Sequence, residues 1–452
     1  MPWNEEVAAR DYLPVEERRT LQLKRLQDTV RRVYEHVPFY QTALDEGSIT
    51  PDSINSLDDL HELPFTTRYD LIDNYPLGLL SSPENELVRI HASSGTKGKA
   101  KIVGYTRKDI DTWSEAVARS LVAAGLQPGD RLHNAYGYGL FTGGLGLHYG
   151  GEYLGTTVIP ISSGNTQRQI TFMRDLQATA LSCTPSYALT IAETLGKMGL
   201  GPKDLSLKYG IFGAEPWTGE MREQVEQGLG ITALDIYGLS EVMGPGVAME
   251  CLEGRRKEKV RGLHIFEDHF LPEIVDPESG NPLHDGKEGE LVFTTITKEG
   301  MPLLRYRTGD LCTLMREKCA CGRTLVRMSE IKGRVDDMLI LRGVNVYPSE
   351  IERVLFGIPE LAPYYQIIIE RVSTLDEAFV HVEATSQFQE KVGKASIDED
   401  AWKAHSEVDS LRQKVSRSLQ DTLGLHIGVN VFTSGTLPRS EGKAVRIVDR
   451  RK

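Results

Sequence analysis

The chain has 452 residues, too many for one ordinary compact core, so two or more domains are expected. Hydrophobic residues make up 40% and charged residues 26%, a soluble globular balance, and no apolar run approaches the roughly 20 residues that span a bilayer. The net charge of −12 argues against unspecific nucleic-acid binding, although it permits local basic patches around an anionic ligand.

The opening residues, Met1-Pro-Trp-Asn-Glu-Glu, carry neither the basic nor the apolar region of a signal peptide. Five cysteines, an odd number in a long chain, suit a reducing compartment, so the cytoplasm is the expected location. Leu23, Leu26, Val30, Val33 and Val37 fall at helical spacing, which predicts a core-facing helix over 15–37 that stops at Pro38. Residues 50–85 are polar and punctuated by proline, and read as short helices and loops.

The first chemical signal lies at 87–105, where a strand runs into a loop of hydroxyl residues, glycines and lysines and then into a second strand. Glycines let backbone N–H groups close on an anion; Ser93, Ser94 and Thr96 add donors, and Lys97, Lys99 and Lys101 add charge. This composition suits phosphate, although the P-loop spacing is absent and an ordinary hairpin loop would look similar. A helix is expected over 109–124. Tyr136 and Phe141 then alternate with glycines that either admit a flat apolar ligand or pack a helix tightly on a sheet.

Strand–helix alternation continues through 205–242. Ile211-Phe-Gly-Ala-Glu-Pro216 and Leu234-Asp-Ile-Tyr-Gly-Leu-Ser-Glu241 look like strand ends running into loops, where open α/β sheets bind ligands. Glu241 offers a hard oxygen ligand to Mg²⁺, and Asp235 could accept from a purine amino group. Residues 255–315 are strand-rich and predict a small barrel or sheet, closed by Arg305-Tyr-Arg-Thr-Gly-Asp-Leu311. Asp310 there could accept from two vicinal hydroxyls, as ribose requires.

Cys319-Ala-Cys321 places two thiols on one turn, with Cys251 and His264 upstream. Three thiolates and one imidazole would make a closed, structural zinc site, with Cys312 and His269 as alternate ligands. Cys183 reads as a core residue at a strand end. The stretch 332–352 reads as a charged joint with Asp336 and Asp337, then a hairpin through Gly343 and a helix opened by Pro348. Glu350 and Glu352 are expected to favour that helix N-terminus. Beyond it, helices over 348–357 and 402–424 and strands over 363–371, 377–385 and 427–433 make a small α+β lobe.

The 93–101 loop, Tyr237-Gly-Leu-Ser-Glu241, Tyr306-Arg-Thr-Gly-Asp310, Gly333-Arg-Val-Asp-Asp337 and Leu437-Pro-Arg-Ser-Glu-Gly-Lys443, in this order, resemble the motif series of the adenylate-forming superfamily. Ala135-Tyr-Gly-Tyr-Gly-Leu-Phe-Thr-Gly-Gly144, Met243-Gly-Pro-Gly-Val247, Glu267-Asp-His-Phe270 and Arg342-Gly-Val-Asn-Val346 resemble its phenylacetate–coenzyme A ligase family. The resemblance implies an α/β fold. A large N-terminal domain, 1–333, with a β-rich subdomain would bind ATP and acid; a small mobile α+β lobe, 334–452, would carry the catalytic lysine.

It further implies an ATP-dependent ligase making the coenzyme A thioester of an aromatic acid, phenylacetate first, through an acyl-adenylate, with ATP, Mg²⁺ and coenzyme A as participants. Lys443, Glu241 and Thr96 would be catalytic. Ser93, Ser94, Gly95, Thr96, Gly98 and Lys99 would hold phosphates. Gly213, Ala214, Glu215, Pro216, Asp235, Ile236 and Tyr237 would form the adenine slot, and Asp310 and Arg334 would serve the ribose. Tyr136, Phe141, Ile236, Gly244 and Pro245 would wall the acid, and Asp336 would be the hinge. The sequence departs from the usual loop at Lys97 and Ala100, where threonine and proline are common, and at Glu441, where a small residue is common. The expected partners are small molecules, with no nucleic acid and no membrane; a homodimer is left open. Competing readings are an enzyme that loads a carrier protein, a ligase for indoleacetate or a benzoate, and a non-catalytic adenylate-binding protein.

Overall fold

The computed structural model describes residues 3–93, 100–257, 262–335, 338–341, 344–372, 375–393, 399–439 and 444–451. The chain divides into two compact units: Met1–Thr184, Pro202–Ala214 and Gly230–Ile331 form the first, and Pro185–Gly201, Glu215–Leu229 and Lys332–Lys452 the second.

In the first unit the expected N-terminal helix spans Val15–His36 and buries Leu26, Val30 and Val33. Pro38 does more than end it. Having no N–H to lose, it sits at the first turn of a new helix, Pro38–Glu46. Strands β1 (Leu87–Ala92) and β2 (Ile102–Thr106) form an antiparallel pair around the 93–101 loop. Helix Arg107–Ala123 follows, opened by a reciprocal cap between Thr106 and Asp109.

Strands β3 (Arg131–Asn134), β4 (Thr157–Ile159), β5 (Ala180–Cys183), β6 (Tyr209–Gly213) and β7 (Thr232–Leu239) pair parallel in the order β4-β3-β5-β6-β7. β5 is buried at every position, Cys183 included, as a strand covered on both faces must be. The sheet then changes sense. β8 (Gly244–Glu250) and β9 (Leu263–Ile265) continue it antiparallel.

The strand-rich region differs from the single barrel or sheet expected. β10 (Phe270–Val275), β11 (Gly289–Thr295) and β12 (Tyr306–Cys312) pair antiparallel in that order, in a sheet separate from the central one. β13 (Leu314–Met315) and β14 (Arg327–Met328) instead return to β9 and extend the central sheet. The reason is that β9 leaves an open ladder edge, which short antiparallel strands satisfy.

A buried ion network ties the N-terminal segment to this region. Arg119 grips Asp268 with both guanidinium arms at 3.0 Å and reaches Asp11 at 2.7 Å. Asp11 also takes Arg323 at 2.8 Å, and Arg18 pairs with Glu267 at 2.5 Å. Against the upward push of burial, Arg119, helped by His269 and Arg25, holds Asp268 well below the usual carboxylate range.

The second unit holds helices Pro185–Lys197 and Gly219–Leu229, and a sheet ordered Gly428–Phe432, Leu375–Ala384, Leu361–Val372, Ile447–Asp449. The expected hairpin pairs Leu339–Leu341 with Val344–Val346, and Pro348 opens helix Pro348–Phe356, where Glu350 accepts from Tyr347 N at 2.9 Å. Glu352 is not the dipole-facing acid expected. It is buried, accepts from the Tyr365 hydroxyl at 2.5 Å and faces Arg446 at 3.3 Å, and burial raises its carboxyl. The helix expected over 402–424 breaks at His405 into Glu399–Ala404 and Ser406–Leu423, because the His405 imidazole accepts from Glu407 N and caps the second piece. Asp336, Asp337, Arg342 and Gly343 lie outside the described residues.

Arg119→Met should destabilise the protein by about 3–5 kcal/mol, since it leaves Asp268 and Asp11 buried without their fork. Denaturant titration of both forms measures this; a midpoint unchanged from the natural protein would show that the network contributes nothing.

Candidate active site

The site is built on the turn between β7 and β8. β7 presents Asp235, Ile236 and Tyr237, the turn carries Ser240 and Glu241, and β8 begins with Gly244 and Pro245. Glu241 is 6% exposed, and its Oε1 meets the Lys101 ammonium at 2.5 Å. Lys101 ends the 93–101 loop, whose base is closed by Ser93 N donating to Lys101 O at 3.0 Å. Ser94, Gly95, Thr96, Gly98 and Lys99 lie outside the described residues. The Ser93 hydroxyl is buried and has no partner among the described ones.

Tyr237 donates its hydroxyl to Asp310 Oδ2 at 2.7 Å and lies beside Phe293. The hydroxyl donor orients the carboxylate. Asp235 N donates to Glu250 at 3.1 Å, and Ile236 is buried. Gly213 ends β6, and Ala214 follows with φ of 72°, an uncommon angle for alanine that turns the chain sharply out of the strand. The first unit thus brings Glu241, Asp310, Tyr237 and Lys101 together with the ends of β6 and β7.

Of the expected acid walls, Tyr136 and Ile236 are buried, while Phe141 is 40% exposed with its ring 6.5 Å from that of Tyr136. The glycines of helix Thr142–Leu154 serve close packing: a Cβ on Gly146 would lie 2.7 Å from both Pro245 and Trp113. Gly244 has φ of 118°, and a Cβ there would lie 2.3 Å from the Trp113 ring. Trp113 donates to Pro245 O at 2.8 Å and stacks on Tyr105. It therefore backs Gly146, Gly244 and Pro245, a role that no local pattern around residue 113 signals.

Cys251, His264, Cys319 and Cys321 converge, with their ligand atoms all within 4.8 Å of one another. Cys251 Sγ lies 3.5 Å from Cys319 Sγ, and Cys321 Sγ lies 3.4 Å from His264 Nε2. Backbone N–H groups of Gly254 and Arg323 donate to the Cys251 and Cys321 sulfurs at 3.2 and 3.4 Å. Sulfur donors held this close, with N–H groups directed at them, fit a tetrahedral zinc ion. Cys312 is not in the cluster, and His269 instead faces Asp268 and Glu115 beside Arg119.

No local pattern marks Lys298 either. It is 2% exposed, and burial pushes its ammonium down to about 8 against the opposing pull of Asp109 and Glu241.

In the second unit, Glu215 Oε1 accepts from Ser186 N at 2.7 Å and Oε2 from Ala444 N at 3.0 Å. Ala444 follows Lys443 directly, and Lys443 itself lies outside the described residues. Buried Glu383 binds both arms of Arg439 at 2.8 Å, together with Gly435 N at 3.0 Å and Leu437 N. Residues 435–439 and Ala444, the described positions on either side, are therefore each anchored. Pro216 follows Glu215, and Arg334 lies in the short strand Gly333–Arg334.

The sequence pattern of the AMP-binding enzymes matches residues 20–297, and that of the AMP-binding enzyme C-terminal domain matches 343–451. The chain belongs to the AMP-binding enzyme family. It is 53% identical over 441 residues to a phenylacetate-coenzyme A ligase of Thermus thermophilus, covering 97% of this chain and 98% of that one. The Escherichia coli phenylacetate-coenzyme A ligase is 48% identical over 438 residues, covering 97% and 96%. Among solved structures, 2-hydroxyisobutyryl-CoA ligase in the postadenylation state matches with a TM-score of 0.88 at 26% identity, covering 98% of this chain and 92% of that one. The fold is that of adenylate-forming enzymes, with a large N-terminal and a smaller C-terminal domain.

Gly244→Ala should destabilise the protein by about 2–4 kcal/mol, from an unfavourable φ and from overlap with Trp113. Adding Trp113→Leu should recover the part due to overlap. Full additivity of the two changes in thermal unfolding would show that the contact is not what fixes Gly244.

Proposed function

We propose that this chain is an AMP-forming acid–coenzyme A ligase whose acid is phenylacetate. The observation that carries the reading is near-full-length identity of about half to relatives named for that reaction, on a chain that keeps Glu241 and Asp310 beside the β7 end. In the first half-reaction a carboxylate oxygen attacks the α-phosphorus, and the bond to the pyrophosphate oxygen breaks. In the second, the coenzyme A thiolate sulfur attacks the acyl carbon and AMP leaves.

We assign nucleotide and acid binding to 1–333 and the catalytic lysine to 334–452. Ser93, Ser94, Gly95, Thr96, Gly98 and Lys99 cradle the β- and γ-phosphates through N–H, hydroxyl and ammonium groups. Gly213, Ala214, Glu215, Pro216, Asp235 and Ile236 border the adenine. Asp310, steadied by Tyr237, takes the ribose hydroxyls, with Arg334 assisting. Lys443 meets the charge that develops on the α-phosphate and carboxylate, where charge stabilisation and alignment are the chief demands. Glu241 would hold Mg²⁺, which supplies positive charge to the phosphates; Lys101, partly exposed, would have to yield that carboxylate. Asp336 is the pivot about which the C-terminal lobe turns between the half-reactions. Tyr136, Phe141, Ile236, Gly244 and Pro245 wall a flat ring. Cys251, His264, Cys319 and Cys321 would hold a zinc ion that crosslinks the β8–β9 region to the 319–321 turn. Cytoplasmic residence is in keeping with thiols that carry no disulfide. Among the described residues no helix is long and apolar enough to cross a membrane.

With phenylacetate, ATP and coenzyme A and no carrier protein, the enzyme should release AMP and pyrophosphate. A higher kcat/KM for hexanoate than for phenylacetate would overturn the assignment. Lys443→Ala should slow adenylate formation by about 10²–10³-fold. It should leave thioester formation from supplied phenylacetyl-adenylate intact; equal loss in both timed steps would remove Lys443 from its role.

Elemental analysis should find one zinc per chain, and Cys319→Ser should lose both the metal and thermal stability. Substoichiometric metal together with an unchanged midpoint in Cys319→Ser would refute the site.

A further inference from the structure

The Ser240–Met243 segment is held from behind by two buried side chains. The Tyr105 hydroxyl lies 3.0 Å from Ser240 O and 3.0 Å from Met243 O. Lys298 Nζ donates to Glu241 O at 2.9 Å and to Val242 O at 3.0 Å. Two residues thus serve the carbonyls of this segment: the Lys298 ammonium holds those of Glu241 and Val242 together, and the single Tyr105 proton is within reach of those of Ser240 and Met243. The two also meet each other, the Lys298 ammonium lying 4.9 Å from the Tyr105 ring centroid.

The clamp is itself fixed. Tyr105 lies on β2, which leaves the 93–101 loop, and its ring stacks on Trp113 at 5.3 Å. Asp109, one turn into helix Arg107–Ala123, accepts from Glu299 N at 2.6 Å and Gly300 N at 2.9 Å, locking the backbone just after Lys298. Its carboxylate also accepts from Thr106 N at 2.9 Å, beside Tyr105. One carboxylate therefore holds the roots of both clamping residues.

A buried ammonium is an expensive way to satisfy two carbonyls, since a neutral donor or a shorter turn would do so without desolvating a charge. Placed here, it does something a neutral group would not. It fixes the main chain at Glu241 itself, while the Glu241 carboxylate is met by Lys101. We propose that Lys298 and Tyr105 are positioning residues: they lock the Ser240–Met243 turn so that the Glu241 carboxylate is preset for the divalent cation that accompanies ATP. The inference rests on the reading of Glu241 as the cation ligand given above. In this role Lys298 acts through the Glu241 main chain.

The test uses the full-length protein with Lys298→Met and Tyr105→Phe, each alone and combined with Glu241→Gln. Mn²⁺ binding in the presence of a non-reacting ATP analogue is read by electron paramagnetic resonance. The Mg²⁺ dependence of pyrophosphate–ATP exchange and thioester formation from supplied phenylacetyl-adenylate are measured alongside. Lys298→Met should weaken Mn²⁺ binding by about 10- to 100-fold, the range typical when a group that orients a metal ligand is removed. Exchange should recover as Mg²⁺ is raised, while the thioester step is unchanged. Tyr105→Phe, which keeps the ring, should show a smaller shift in the same direction. In the Glu241→Gln background neither substitution should change Mn²⁺ affinity further.

Natural Mn²⁺ affinity in Glu241→Gln alone would sink the reading of Glu241. A shift from Lys298→Met that persists undiminished in the Glu241→Gln background, or that extends equally to the thioester step, would overturn the positioning role and leave Glu241 in place. Should Lys298→Met not fold, Tyr105→Phe decides the matter, and unchanged Mn²⁺ affinity there overturns the proposal.

Discussion

The constraint on which the site depends is the reversal of chain direction between β7 and β8. β7 runs parallel to β6 and antiparallel to β8, so the central sheet changes sense at a single turn. The reversal is tight: a Cβ on Gly238 would lie 1.7 Å from Gly244 O. Residues from separate sequence motifs meet there because the chain passes the same place twice. Asp235 and Tyr237 arrive on β7, Glu241 sits in the turn, and Gly244 and Pro245 leave on β8.

Buried charge in the first unit is handled in two ways, and the difference separates structure from function. Asp268, Asp11 and Glu267 are met by arginine guanidiniums that are themselves buried and cannot leave. Such pairs close on themselves and offer nothing to a ligand. Glu241 is met by a lysine that is 22% exposed in its side chain, and Asp310 accepts from the Tyr237 hydroxyl. In the proposed function these are the carboxylates that a cation and a sugar would use. The Cys251–His264–Cys319–Cys321 cluster belongs with the first kind: Arg323 lends its main-chain N–H to Cys321 and its guanidinium to Asp11, which joins the cluster to the ion network.

The second unit applies the same economy to the approach to Lys443. Glu383 is fully buried yet collects Arg439 and the N–H groups of Gly435 and Leu437, so one carboxylate fixes the whole 435–439 segment. Beyond Lys443, Ala444 is held by Glu215, and Ile447–Asp449 joins the sheet edge in parallel with Leu361–Val372.

How much was legible in the sequence followed from the range of the interactions involved. Periodicity and local chemistry were enough for the N-terminal helix, the hairpin after 338, the proline-opened helix at 348 and the alternation of strand and helix, because backbone hydrogen bonding and capping act within a few residues. Short motifs marked Glu241, Asp310 and the cysteine cluster, because carboxylates and thiols announce their chemistry by type. The sequence did not show that the 255–315 region divides between two sheets, nor that Glu352 turns inward to Tyr365 and Arg446. It also gave no sign that Trp113, Tyr105 and Lys298 stand behind the site. Each of these is decided by a partner distant in the chain: Lys298 lies 57 residues from Glu241, and Tyr105 lies 138 from Met243. A lone lysine in a strand-rich stretch reads the same whether it faces water or a buried carbonyl. Only the packing of distant segments, which sets where desolvation falls and which polar groups must then be satisfied, separates the two.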